Sequence, residues 1–180
     1  RTYRAGKRYK ILNMTAAWVD KIKWFVILVL IQGVIIGQIQ VLRYAVPLLY
    51  VVFILKLPSD TGRKKLLFYS FLIGLCVDIF GNTPGLNATA SLWLAMARPL
   101  LLRWQTSRDA SESFIPGIKS MRTAPYFRYV LPSVLLHSLI LNTVDAFSLV
   151  KASEILFASL ADTAVTVALI MIIEFVGRKK

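Results

Sequence analysis

The sequence predicts an all-α polytopic membrane protein of about six transmembrane helices, with both termini cytoplasmic. Three observations lead there. Apolar residues make up 57% of the 180 residues and charged ones only 17%, and the apolar ones gather in runs too long for a soluble core. Short segments rich in Gly, Pro, Asn and basic residues separate those runs. Basic residues outnumber acidic ones by 22 to 9 and crowd alternate connections, as the positive-inside rule expects of cytoplasmic loops.

Residues 1–23 carry Arg1, Arg4, Lys7, Arg8, Lys10, Lys21 and Lys23 and are read as a basic cytoplasmic segment. The apolar run behind them lacks a small-residue cleavage site, so it reads as an uncleaved anchor. Helices are expected over 24–42, 44–57, 66–80, 86–104, 127–149 and 155–176, all within one transmembrane domain over 24–177, and 178–180 forms a basic cytoplasmic tail. The second and third helices are short for a bilayer that takes about 20 residues. They extend into their flanks, tilt little or reach only part way, and five full crossings is the alternative drawing. No internal repeat or low-complexity linker divides the chain.

In the first helix Gly33 and Gly37 form a Gly-x-x-x-Gly pair that allows another helix to approach closely. Gln32, Gln38 and Gln40 beside it call for contact with protein or water. Between the third and fourth helices the run Asp78-Ile79-Phe80-Gly81-Asn82-Thr83-Pro84-Gly85-Leu86-Asn87 predicts a tight helical hairpin. Asp78 closes one helix, Gly81 and Pro84-Gly85 force the reversal, and Asn87 or Thr89 caps the next. This turn contains no Lys or Arg, which places it on the outer side.

The fourth helix carries Arg98 followed by Pro99. A cation inside the membrane disfavours insertion by about 2.5–3.5 kcal/mol on translocon scales, so Arg98 is expected to face protein. At about 9 Å from the cytoplasmic end it can also snorkel to headgroups. Pro99 frees the Ala95 carbonyl one turn earlier. A kink with an arginine beside it suits a lock between helices or partners. The following connection, 105–126, has Phe114, Ile115, Ile118 and Met121 as an amphipathic patch at the interface. It reads as a solvated linker or, more sharply, as a docking site for a cytoplasmic partner.

The fifth helix has a polar stripe of Ser133, His137 and Asp145, with Ser138 and Asn142 alongside. The sixth answers with Ser159, Asp162, Thr163 and Thr166. Facing stripes of this kind glue helices through hydrogen bonds of about 0.6–2 kcal/mol each, and a proton relay or ligand cavity is the sharper alternative. His137 alone reads as a packing residue. Cys76 lies in an apolar run and reads as an inert thiol.

The net charge of +13 follows from this topology and from contact with anionic lipids. Nucleic acid is not expected as a partner, although the opening basic and tyrosine residues could touch RNA or lipid weakly. No metal, phosphate-loop or nucleophile motif is found, and a single His and a single Cys leave little for enzymatic chemistry. No cofactor or metal is expected.

The segment 66–102, with Gly74-Leu75-Cys76-Val77-Asp78-Ile79-Phe80-Gly81-Asn82-Thr83-Pro84-Gly85 and Ala97-Arg98-Pro99-Leu100-Leu101, resembles the MreD family of bacterial rod shape-determining proteins, in its Bacteroidetes-type form. The resemblance extends through Pro47-Leu48-Leu49-Tyr50, Leu57-Pro58 and 137–147, and so covers most of the chain from Trp24 onward. The opening before Met14 lies outside it, as an extension or a misassigned start. The resemblance implies a non-enzymatic bacterial inner-membrane component of the cell-elongation machinery. Such a component holds the membrane helix of MreC and links MreB filaments, indirectly, to the glycosyltransferase and transpeptidase of side-wall peptidoglycan synthesis. It also implies an architecture similar to the substrate-binding subunits of energy-coupling-factor transporters. On these residues Asp78, Asn82, Pro84 and Gly85 would shape the outer turn, and Arg98 and Pro99 would fix the bundle and contact MreC. Two other readings stand beside it. The chain could be a vitamin-binding transport subunit, with the polar stripes lining a pocket and Gly33 and Gly37 meeting a coupling protein. It could also be an intramembrane enzyme using Asp78 with His137 or Asp145.

Overall fold

The structure, a computed structural model, describes residues 23–35, 45–106, 113–146 and 152–178. Among these residues it is helical and contains no β-strand. The elements are α1 (Lys23–Gly33), which runs into a π-helical turn at Ile31–Ile35, then α2 (Val51–Leu55), α3 (Arg63–Gly81) and α4 (Leu86–Gln105). They continue with α5 (Ile118–Met121), α6 (Thr123–Ala146) and α7 (Ala152–Arg178). Among the described residues α6 and α7 are long and apolar enough to cross a membrane. The expected segments 1–22 and 179–180, as well as Gly37, Gln38 and Gln40, lie outside the described residues.

The bundle is assembled in chain order, with α3 packed along α4, α4 along α6 and α6 along α7. Small residues set the closest approaches. A Cβ placed on Gly74 would sit 2.6 Å from both the Ala88 Cα and the Asn87 carbonyl oxygen, so α3 and α4 are in backbone contact at that level. At Gly33 the same atom would lie 2.5 Å from the Phe80 Cβ. The helix that Gly33 admits is therefore the chain's own α3.

Polarity is distributed in reverse of a water-soluble domain. Gln32, Asp78, Arg98, His137, Asp162 and Thr166 are all buried, whereas Phe68, Ile79, Trp93, Met96, Trp104 and Phe157 are each more than half exposed. A soluble monomer rarely leaves so continuous an apolar exterior uncovered. Hydrocarbon tolerates apolar side chains and excludes unpaired polar ones, so the pattern agrees with α6 and α7 being long and apolar enough to cross a membrane.

The expected helix over 44–57 is where sequence and structure differ most. Only Val51–Leu55 is helical, and 45–50 runs as irregular backbone through the bundle. Pro47 has no N–H to give to a helix and biases Val46 away from helical dihedrals. Side chains of the flanking helices take over the backbone groups that a helix would have paired. The Val46 N–H donates to Asp162 Oδ1 at 2.7 Å and the Leu48 N–H to Thr166 Oγ1 at 3.0 Å. Gln32 spans the same segment from the other side, donating to the Pro47 carbonyl at 2.9 Å and accepting from the Leu49 N–H at 2.8 Å. Non-helical backbone deep in an apolar bundle is stable when protein groups satisfy it in this way.

The connection after α4 also departs from expectation. Ile118 and Met121 are buried in the core and only Ile115 of that group is exposed, so they form no lipid-facing patch. Ser59 and Phe114 tie the loop down reciprocally, with the Ser59 N–H donating to the Phe114 carbonyl at 2.9 Å and the Phe114 N–H to Ser59 Oγ at 3.0 Å. Glu174 near the end of α7 adds an ion pair with Lys56 and accepts the Ile118 N–H at 3.2 Å.

Candidate functional site

Two buried charges organise the interior, and each is matched to a helix end. Asp78, in the last turn of α3, turns its carboxylate onto the N-terminus of α4. Its Oδ1 accepts from the Asn87 backbone N–H at 2.9 Å and its Oδ2 from the Ala88 N–H at 2.9 Å. The Asn87 side-chain amide and Thr83 Oγ1 donate to Oδ1 as well, at 2.9 and 3.0 Å. The first N–H groups of a helix have no partner within it and carry the positive end of its dipole. A carboxylate supplied by the preceding helix satisfies them and offsets its own burial. The expectation that Asn87 or Thr89 caps α4 is thus corrected. Gly85 is the residue at the cap, in the left-handed conformation at φ 85°, and it has no side chain to offer. Asn82 is left-handed too, at φ 52°, and closes α3 by donating its N–H to the Asp78 carbonyl. Pro84 sits exposed at the tip.

Arg98 does the converse at the other end of the bundle. Its side chain is 1% exposed, and it donates to the Leu57 carbonyl, to the Leu55 carbonyl at 3.3 Å and to Tyr129 Oη at 3.0 Å. Tyr129 Oη in turn donates to the Leu55 carbonyl at 3.2 Å. The Leu55 carbonyl ends α2 and the Leu57 carbonyl lies just beyond it; such carbonyls have no helical partner, so a guanidinium with several donors suits them. Arg98 therefore joins α2, α4 and α6 and does not snorkel. Its Nε and Nη2 donors are used inside the chain. Pro99 follows within the same helix.

A third group of side chains links the hairpin to α6. Tyr50 Oη lies 2.8 Å from Asn87 Oδ1 and 2.6 Å from His137 Nε2, and all three residues are buried. A single phenol proton can go to only one of these acceptors, so the histidine tautomer and the tyrosine hydroxyl are set together. His137 is thereby held through Tyr50 and Asn87, and Asn87 in turn bonds Asp78.

On α6 and α7, Asn142 donates to Asp162 Oδ2 at 2.9 Å and to the Ser138 carbonyl at 3.0 Å. Ser159, Thr163 and Thr166 are buried on the facing side. Asp145 is exposed at the last turn of α6. Asn142, Asp145 and Asp162 line a cavity of about 340 Å³ together with Gln32, Gly33, Thr83 and Asn87. Asp78, Arg98 and His137 hold segments together in the interior, and Asn142, Asp145 and Asp162 border the cavity, where Asn142 and Asp162 also bond α6 to α7.

Sequence reasoning did not single out Tyr50, Tyr129 or Glu174. A signal for the tyrosines existed, because a buried phenol needs a hydrogen-bond partner. The Leu55 and Leu57 carbonyls left no trace in residue identity. No protein-family model, curated protein or solved structure matches this chain.

Proposed function

We propose that the chain is a non-enzymatic, multi-pass component of the bacterial inner membrane that serves the cell-elongation complex. In this reading it holds the membrane helix of MreC and helps couple MreB filaments to side-wall peptidoglycan synthesis. What supports it is the way the separate segments that resemble MreD meet in space. Asp78 bonds Asn87, Asn87 bonds Tyr50 and Tyr50 bonds His137, so residues from 47–50, 74–90 and 137–147 form one buried unit. Arg98 adds 97–101 and Leu57 through its carbonyl contacts. The interior polar groups are used for adhesion, while the exposed apolar stripe of α3 and α4, including Phe68, Leu75, Trp93, Met96 and Leu100, suits a neighbouring transmembrane helix.

Affinity purification of the tagged chain from its native membrane tests this reading directly. Stoichiometric MreC with wall synthases is the expected result. Recovery of coupling ATPases or a bound vitamin, with no MreC, would replace the shape-complex reading by the transport-subunit one.

The same proposal gives six crossings, by α1, the segment through α2, α3, α4, α6 and α7, with both termini cytoplasmic. Lys56, Arg63, Lys64, Lys65, Arg103, Arg122 and Arg178 then share the cytoplasmic side, and the 82–85 turn faces outward. In a Cys76→Ser background, Pro84→Cys is expected to react with a membrane-impermeant maleimide on intact spheroplasts, and Ser113→Cys only after lysis. The opposite pattern would invert the topology.

A further inference from the structure

One end of the bundle collects the starts of α3 and α6 and the ends of α4 and α7. Arg98 joins α4 to the Leu55 and Leu57 carbonyls and to Tyr129 of α6. Ser59 joins the approach to α3 to Phe114, and Glu174 joins the end of α7 to Lys56 and Ile118. In sequence, the stretches 56–65, 103–128 and 174–180 carry twelve Lys and Arg against Asp60, Asp109, Glu112 and Glu174. Pairing every one of those acids still leaves most of the cations for an outside partner. Glu174, moreover, is turned inward onto Lys56 and the Ile118 N–H and is 9% exposed.

An aromatic ring accompanies the charge at each of the four helix ends. Lys65 with Phe68 in α3, and Phe175 with Arg178 in α7, stand three residues apart and are neighbours on the helix surface. Arg103 precedes Trp104 in the last turn of α4, and Phe127 precedes Arg128 near the start of α6. All of these side chains are exposed. Topology alone accounts for a one-sided excess of cations. It does not account for rings beside them that continue the apolar outer wall, one turn out from the exposed Leu131 and Ile172. Aromatic rings next to long basic side chains mark the level at which acyl chains meet headgroups. A single-stranded nucleic acid would want the rings among the cations as a stacking platform, and here they stand on the sides of the helices.

We propose that this end of the bundle binds anionic phospholipids in preference to zwitterionic ones, the cations taking the headgroup phosphates and the rings lying against the adjoining acyl carbons. The proposal rests on the multi-pass reading above and not on the identity of any protein partner.

Trp104 at this end and Trp93, about 16 Å away along α4, are both exposed and report on the lipid beside them. The full chain is reconstituted with Trp104 as its sole tryptophan (Trp18→Phe, Trp24→Phe and Trp93→Phe), or with Trp93 as its sole one. The vesicles are phosphatidylcholine with an equal minor share of dibrominated phosphatidylglycerol or dibrominated phosphatidylcholine. At low salt, quenching of Trp104 is expected to favour phosphatidylglycerol by about fivefold, the factor that one basic residue at an anionic surface supplies, and quenching of Trp93 to favour neither lipid. The preference at Trp104 should vanish at about 1 M salt, where screening acts over 3 Å. Arg103→Gln with Arg128→Gln should abolish it as well, and Arg103→Lys with Arg128→Lys should keep it. Equal quenching of Trp104 by the two lipids, or the same preference at both tryptophans, would overturn the proposal and leave the multi-pass reading standing. Single-stranded RNA bound by a chain without lipid preference would overturn it too, and assign the cations to nucleic acid. Failure of either brominated lipid to quench either tryptophan would overturn both readings. Should the single-tryptophan chains not fold, native mass spectrometry of the unaltered chain from mixed phosphatidylcholine and phosphatidylglycerol micelles decides. Phosphatidylglycerol retained beyond its share is the expected result, and retention in proportion to its share overturns the proposal.

Discussion

Replacing Asp78 by alanine is expected to lower the unfolding temperature of the purified chain in micelles by roughly 6–12 °C. The carboxylate receives the Asn87 and Ala88 backbone N–H groups, the Asn87 amide and the Thr83 hydroxyl. Removing it orphans several buried donors at once. The loss of a charged acceptor leaves an effect of about 3 kcal/mol, more than an ordinary surface cap at 0.5–2 kcal/mol. For a chain of this length that corresponds to about 2–4 °C per kcal/mol. Asp78→Asn should fall between the two, since its amide oxygen can still receive one of the N–H groups while its NH₂ meets the other. Thermal unfolding followed by near-ultraviolet circular dichroism reads the difference. An alanine variant as stable as the parent would mean that water or another side chain caps α4 in solution.

The reason this residue was legible in the sequence, while its role was not, applies to the whole molecule. Helix-breaking residues at 81–85 and an acid just before them announced a hairpin, and the structure has one at that place. Local propensity then assigned the capping role to the nearest polar side chain after the turn. The helix is capped instead by a residue nine positions earlier than Asn87, because Gly74 allows α3 and α4 to touch and brings Asp78 onto the α4 axis. A contact that depends on the crossing of two helices has no local signature. The same limit explains the second expected helix. Hydropathy over 44–57 is that of a membrane span, and Pro47 was the only hint of a break. What makes the break stable is Gln32, Asp162 and Thr166, more than a hundred residues away in the last two cases. The polar stripes were visible by periodicity alone. Periodicity could not say that part of each stripe bonds an unwound backbone and part borders a cavity.

Arg98→Leu provides the other large effect, and its sign separates two accounts of a cation in α4. If the guanidinium reached the headgroups by snorkelling, leucine would remove an insertion penalty of about 2.5–3.5 kcal/mol and leave the fold intact. The structure has it buried on the Leu55 and Leu57 carbonyls and on Tyr129, so leucine strands the Leu57 carbonyl in the interior and leaves the Leu55 carbonyl to Tyr129 Oη alone. Such a substitution is expected to destabilise the folded chain by about 3 kcal/mol while membrane insertion and expression stay near normal. Arg98→Lys should recover only part, because a point ammonium cannot span both carbonyls and the tyrosine as a planar fork does. Tyr129→Phe, which removes one hydroxyl and keeps the packing, should lower stability by about 1 kcal/mol. Under the proposed function, recovery of MreC with the leucine variant should fall in parallel with its thermal stability, since the arginine is inside the bundle. A loss of MreC at unchanged stability would place Arg98 in direct contact with the partner, and unchanged values of both would return it to the headgroups.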